Sequence, residues 1–444
     1  MPRWRACPRL VEPGVTRTGR RSGAAGRLLP AVLLVLLLVA GEWQSAFATC
    51  RAIADLAPAG AYGVADAGGR IVDACNPGRP LVPASVLKIA TVAAALAILG
   101  PDYRFRTELF LDDRDNLFIK GFGDPSLVSE EAATLAEQLR QRGVQRVHTL
   151  YIDTSAFALE NQTPGQEDSD NPYDAPVGAL SVNFNAVALS KDKEGRIASG
   201  EALTPLLPIM RELGQGRPAG SWRVNICGRG CDAEARVARY AGELLQAMLA
   251  QNGISVVALG GIRSVPPTAR LIHTHASSQT LIEISRSCLH HSSNFMANLI
   301  FLACGAARFG YPATWEKARL AMRKELAEQL GAAAAADIVQ VDGAGLSRDN
   351  RVTVRVMLQL LTHFRPHMDL LNKERGAAVK TGTLTGVYNL VGYLPAGQAF
   401  AILLNQPANR RDEILARLAR LHGTRPPDSG RKTSHSVSQP AARK

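Results

Sequence analysis

The stretch that most constrains this chain is Pro83-Ala84-Ser85-Val86-Leu87-Lys88, together with the apolar run that continues to Leu99. Ala, Leu and Ile dominate the run and Gly100-Pro101 closes it, the pattern of a buried helix with a C-terminal stop. Pro83 stands just before the expected start, where a missing N–H does no harm. Ser85 and Lys88 are three apart, so on a helix they share one face at its N-terminal end. A hydroxyl beside an amine, at the positive end of a helix dipole, suits a serine nucleophile with a lysine base.

Ser-x-x-Lys also arises by chance, and the chain holds two more copies, Ser190…Lys193 and Ser429…Lys432. The first lies in a polar, glycine-containing loop and the second in a low-complexity tail, so neither opens an apolar helix. The Ser85 copy still needs partners elsewhere in the chain before it carries chemistry.

With 444 residues the chain is long enough for two or three domains and a sizeable core. Its net charge of +12 invites a nucleic-acid reading, but the charge sits at the ends. Residues 1–48 carry +5 and residues 423–444 carry +4, which leaves only +3 for everything between. No nucleic-acid motif is present, so nucleic acid is excluded as a partner. The first segment is Arg-rich, continues into the apolar Leu28 to Ala40, and meets an A-x-A site at Ala46-Phe47-Ala48. It reads as a signal peptide over residues 1–48 with a mature start near Thr49; an uncleaved anchor is the competing reading. The expected location is therefore periplasmic or extracytoplasmic. Residues 423–444 read as a disordered basic tail.

Export puts the mature cysteines in an oxidising compartment. Cys50 pairs with Cys75 around the first expected strands, and Cys227 with Cys231 across a tight loop. Cys288 and Cys304, about 24 Å apart if one helix joins them, are too distant to bridge. Ala61 to Asp66 and Arg70 to Ala74 read as a β-hairpin, with further strands at 104–111, 116–120 and 147–152. A polar loop covers 160–174, and 179–189 is strand-like. Helical spacing marks 127–142, 235–252, 281–304 (interrupted at His290 to Asn294) and 313–330 with Thr314 as N-cap. Strands at 377–383, 388–394 and 399–405 and a helix over 411–421 end the folded part.

Two clusters supply the missing partners. Ser292-Ser293-Asn294 gives Ser-x-Asn at the helix interruption, and Lys380-Thr381-Gly382-Thr383 gives Lys-Thr-Gly on a strand. Ser181-Val182-Asn183 is a second Ser-x-Asn, so that element alone decides little. All three clusters in this order form the set of active-site serine enzymes that recognise penicillin. Lys88 can take the Ser85 proton only as a neutral amine, and burial beside a second cation, Lys380, favours that form. Ser292 is placed to relay a proton to the leaving amine, Asn294 to hold the substrate amide, and Lys380 and Thr381 to attract a terminal carboxylate. Gly382 has no side chain, which lets the substrate backbone approach the strand edge, and the N–H groups of Ser85 and Thr383 are candidates for the oxyanion hole.

With these motifs, and with Gly121-Phe122-Gly123-Asp124-Pro125, Ala179 to Asn185 and Asp342-Gly343-Ala344-Gly345-Leu346-Ser347-Arg348, the sequence resembles the D-alanyl-D-alanine carboxypeptidase/endopeptidases, the low-molecular-mass class C penicillin-binding proteins. The resemblance spans about residues 50–420. It implies an α/β fold with a penicillin-binding transpeptidase/β-lactamase-like domain, an antiparallel sheet flanked by helices, formed by residues 49–105 and 272–422. A large inserted α/β region, 106–271, lies between. It further implies hydrolysis of peptidoglycan stem peptides through an acyl-enzyme on Ser85, β-lactam binding, no cofactor or metal, and room for peripheral membrane or cell-wall association. Asp153 is considered as a substrate contact and read instead as a solvated strand-end carboxylate.

Three departures from the family pattern stand out. Ser293 replaces the usual Asp, Asn298 occupies a commonly acidic site, and His290-His291 replace a basic or amide-bearing lead-in. The two His have no partners that would complete a metal site, so they read as surface or packing residues. A β-lactamase is the competing enzyme reading, weakened by the insertion and by the lack of an evident deacylating Glu. A non-catalytic peptidoglycan-binding sensor is the third, weakened by the intact Ser85, Lys88, Ser292 and Lys380.

Overall fold

In the computed structural model, the described residues are 50–422 apart from 51, 52, 161 and 229. The expected signal peptide and basic tail lie outside them. Both ends of the described chain meet in one antiparallel six-stranded sheet. Its order is Asn372–Glu374, Ala377–Leu384, Val387–Tyr393, Ala399–Leu404, Gly60–Ala65 and Ile71–Cys75. The middle strands are covered on both faces, which is why they read as continuous apolar runs. Along Ala399–Leu404, alternate residues face opposite layers. Ala399, Ala401 and Leu403 join the large core built on the helices, while Phe400, Ile402 and Leu404 pack under the closing helix Arg411–His422.

The helical layer is organised by two buried helices. Asn294–Phe309 is buried at every position from Phe295 to Ala306, as an all-round apolar sequence requires. The second, Lys88–Leu99, stops at Gly100, whose N–H bonds back to Leu96. The sequence reading began this helix near Ser85. Instead Ala84–Leu87 forms a 3₁₀ turn that leads into the α-helix at Lys88. In a 3₁₀ turn residues three apart eclipse, so Ser85 and Lys88 are aligned more closely than an α-helix would set them.

Between the two halves of this domain lie two further sheets. A five-stranded mixed sheet has the order Arg270–Ala276, Arg106–Leu111, Leu117–Gly121, Arg146–Asp153 and Ser255–Ile262. A three-stranded antiparallel sheet has the order Ile197–Ser199, Ala186–Lys191 and Gly220–Asn225. They share a separate core with the helices Ser129–Gln141 and Ala233–Gln251. Because Arg270–Ala276 pairs with Arg106–Leu111, this sheet runs past the expected boundary at 271. The strand-like reading of 179–189 also needs correction. Asn183, Phe184 and Asn185 all have positive φ, and the strand begins only at Ala186. Asparagine tolerates the left-handed region, so the apolar alternation there was misleading.

Both expected disulfides are present, Cys50–Cys75 with Cα atoms 5.0 Å apart and Cys227–Cys231 with 5.6 Å. Cys288 and Cys304 are buried free thiols on two different helices. Among the described residues no helix is long and apolar enough to cross a membrane. For a chain starting at Thr49, alkylation under denaturing, non-reducing conditions is expected to label two thiols, and reduction to raise the count to six. Six labels before reduction would contradict the pairing.

Candidate active site

Lys88 is fully buried, and its Nζ lies 2.8 Å from each of three oxygens. These are Ser85 Oγ, Asn294 Oδ1 and the Ala344 carbonyl oxygen. Two of the three can only accept hydrogen bonds, whereas the Ser85 hydroxyl can also donate. A neutral amine with two N–H bonds and one lone pair therefore fits this shell: it donates to Asn294 and Ala344 and receives the Ser85 proton. Burial drives the Lys88 pKa down to about 7, and the nearby Lys380 adds to the fall. Lys380 lies at about 8, lowered mainly by burial. Its Nζ donates to Ser292 Oγ at 2.8 Å and to the Thr381 carbonyl at 2.9 Å.

Each of these groups is held by local structure. Ala84, immediately before Ser85, the expected nucleophile, has φ of 48°, a strained value for a residue with a Cβ. The turn is pinned by two asparagines that the sequence reading did not single out. Asn389 Nδ2 donates to the Val82 and Pro83 carbonyls, and Asn405 brackets the Val82 peptide on both sides. Asn389 is fully buried within an otherwise apolar strand, and that lone amide was the available sequence signal. Gly382 acts on the same turn. A Cβ there would lie 2.7 Å from the Pro83 carbonyl oxygen and 3.0 Å from Val86 N. Its missing side chain thus makes room for the nucleophile turn, where the sequence reading gave that room to substrate.

On the opposite side, the expected helix over 281–304 breaks into Leu281–His290 and Asn294–Phe309. Ser292 takes a positive φ of 54° at the break. Ser293 caps the second helix, accepting a bond from Met296 N at 3.2 Å. Ser and Asp are equivalent N-caps, which accounts for Ser at this position. His290 and His291 are exposed at the helix end. Both ends of the Asn294 amide are engaged within the protein, Oδ1 by Lys88 and Nδ2 by the Tyr173 carbonyl at 3.1 Å. Tyr173 belongs to the 160–174 loop, so a segment more than a hundred residues away along the chain fixes which way Asn294 points.

Ala344 is presented by a loop folded around Asp342. That buried carboxylate accepts bonds from the N–H groups of Ala344, Gly345, Leu346 and Ser347. Asn298, flagged as a departure, accepts from Gly343 N at 2.9 Å and ties this loop to the central helix. Gly345 has φ of 81°, and a Cβ there would fall 2.0 Å from the Ala84 carbonyl oxygen. The loop therefore closes directly on the nucleophile turn.

Other residues fall outside the site. Asp153 is not the solvated carboxylate that was expected. It is buried, accepts from Ser155 and Val265, and lies 3.6 Å from Lys120. Ser181 and Asn183, the second Ser-x-Asn, brace the insertion through Gly178, Asn185 and Ser129. Thr381 is half-buried and Thr383 exposed. The Lys380–Thr383 segment leaves its outer edge free, because Asn372–Glu374 pairs only with Ala377–Val379. Beside Ser292 and Asn294 opens a cleft of about 540 Å³ bordered by Tyr173, Phe184 and Arg223.

The sequence profile of the D-Ala-D-Ala carboxypeptidase 3 (S13) family matches residues 60–210 and 232–373. That span holds Ser85, Lys88, Ser292 and Asn294 and ends before Lys380. The chain is 28% identical to a D-alanyl-D-alanine carboxypeptidase of Actinomadura sp. (strain R39), over 94% of both chains. It is 24% identical to the D-alanyl-D-alanine carboxypeptidase DacB of Haemophilus influenzae, over 71% of this chain and 77% of that one. Penicillin-binding protein 4 (dacB) from Haemophilus influenzae has a similar fold, with a TM-score of 0.67 at 21% identity. That match covers 81% of this chain and 94% of the other.

The cap gives a direct test of the Ser293 departure. Ser293→Ala is expected to cost about 1 kcal/mol in denaturant unfolding, and Ser293→Asp to stay within about 0.5 kcal/mol of the parent. Equal losses in both variants would show that capping is not what this position supplies.

Proposed function

Because the chain belongs to the D-Ala-D-Ala carboxypeptidase 3 (S13) family, we propose that it hydrolyses peptidoglycan stem peptides through an acyl-enzyme formed on Ser85. It is a serine-type D-Ala-D-Ala carboxypeptidase hydrolase, and the residue roles follow from the local chemistry. The observation that carries them is the buried Lys88 amine, whose shell leaves its lone pair for the Ser85 hydroxyl.

Ser85 Oγ attacks the carbonyl carbon of the penultimate D-Ala while its proton passes to Lys88 Nζ. The N–H groups of Ser85 and Thr383 receive the oxyanion, an effect of about 3–4 kcal/mol per donor. As the C–N bond breaks, Ser292 gives its hydroxyl proton to the leaving amine of the terminal D-Ala and regains one from the Lys88 ammonium, with Lys380 donating to Ser292 Oγ, so Lys88 is neutral again. Water then attacks the ester with Lys88 again as base, releasing the shortened peptide and restoring the Ser85 hydroxyl. The free edge beside Lys380 suits an extended substrate laid alongside the strand. Lys380 and Thr381 attract its carboxylate, and Asn294 positions Lys88 as well as bordering the substrate.

A β-lactam offers the same carbonyl and carboxylate in one ring, so penicillin is expected to acylate Ser85. The N-terminal segment supports export, and the two disulfides suit an oxidising, extracytoplasmic compartment. The positive charge of 423–444 suits peripheral association with an anionic envelope surface.

Labelled penicillin is expected to attach to the parent protein and not to Ser85→Ala, read by mass spectrometry of the tryptic peptide. Correctly folded protein that takes no label would overturn the assignment. A second test is the pH profile of acylation. Deprotonated Lys88 is the active form, so the rate constant should rise with pH through about 7. Protonated Lys380 holds the carboxylate, so the rate should fall again above about 8. A rate that climbs steadily to pH 10 would contradict both roles.

A further inference from the structure

Arg411 has no anionic partner among the described residues. It opens the closing helix Arg411–His422, which packs on the outer face of the six-stranded sheet through Ile414, Leu415 and Leu418. From there its side chain reaches the end of the Lys380–Thr383 segment, and Nη1 donates to Thr383 Oγ1 at 3.1 Å. Its Nε is buried and has no hydrogen-bond partner among the described residues. No carboxylate pairs with Arg411 among them either, although the adjacent Arg410 pairs with Glu413 at 2.7 Å. A buried guanidinium N–H left unpaired is costly unless something else fills the place.

What belongs there follows from the neighbours. Thr383 adjoins Gly382, which packs on the nucleophile turn, so the guanidinium sits at the end of the strand segment that borders that turn. Lys380 forms no ion pair among the described residues; Glu374 acts on it only at longer range, and Arg411 is near enough to favour its neutral form. Two cations and the hydroxyls of Thr381 and Thr383 therefore flank one free strand edge. A planar guanidinium matches a carboxylate through two parallel N–H bonds, which an ammonium cannot make.

We infer that Arg411 is the anchor for the substrate's terminal carboxylate, gripping it beside the Thr383 hydroxyl at the free end of the Lys380–Thr383 edge. This rests on the proposed peptidase reading and adds a residue from outside the three motifs. It adds to the work of Lys380 rather than replacing it: the ammonium attracts the carboxylate as a point charge while donating to Ser292, and the Arg411 fork selects chains that end in a free carboxylate.

The test compares diacetyl-L-Lys-D-Ala-D-Ala with its C-terminal carboxamide. Arg411→Gln is expected to lower kcat/KM for the carboxylate peptide roughly 10- to 100-fold, the loss of one charge-assisted contact. It should leave the carboxamide within about threefold of the parent, and Arg411→Lys should recover part of the loss. Equal falls for both peptides, or no fall for either, would overturn the anchor. If Arg411→Gln does not fold, the same comparison on Arg411→Lys decides, because it keeps the charge and removes the bidentate fork. Parent protein that neither takes a penicillin label nor cleaves the carboxylate peptide would instead defeat the peptidase reading itself.

Discussion

One buried amine determines how the rest of this molecule must be arranged. Lys88 sits in the dry interior with three oxygens at hydrogen-bond distance, and each comes from a different part of the chain. An ammonium there would carry a large desolvation cost, so burial itself favours the neutral form that can act as a base. Lys380 helps by standing near enough to repel a second positive charge. In the proposed acylation Ser85 owes its reactivity to the packing around Lys88 rather than to the serine itself.

The supporting structure is devoted to holding those oxygens still. The nucleophile turn carries a strained Ala84 and is pinned by Asn389 and Asn405. The Ala344 carbonyl is aimed by a loop wound around the buried Asp342 carboxylate and tied to the central helix by Asn298. Asn294 is fixed by the Tyr173 carbonyl from the insertion, which gives that region a part in the site. Strain at such positions persists only where surrounding contacts over-determine it, and here they do. The insertion does more than separate the motifs along the sequence.

The three motifs were legible because their chemistry constrains residue type and spacing together. Five strands of the six-stranded sheet and both buried helices were legible because each is largely apolar and bounded by glycine, proline or polar residues; the short polar strand Asn372–Glu374 was not. What the sequence hid is mostly backbone. The carbonyls of Ala344 and Tyr173 leave no trace in residue identity, and the three successive positive φ values at Asn183 to Asn185 mimicked a strand. The α-helix at Lys88 starts one turn later than apolar periodicity suggests, because periodicity does not distinguish a 3₁₀ turn from an α turn. Asn389, Asn405 and Arg411 were passed over for another reason. Each acts on a residue distant in sequence, and a polar side chain reveals such a role only once the fold brings its partner close.

The protonation of Lys88 is therefore the point on which this account turns, and it can be observed directly. Titration of a sample carrying ¹³C at the lysine ε-carbons, with Lys88→Arg used to assign the signal, should show Lys88 losing its proton near pH 7. A Lys88 signal that titrates near the ordinary lysine value, about 10.4, would contradict it.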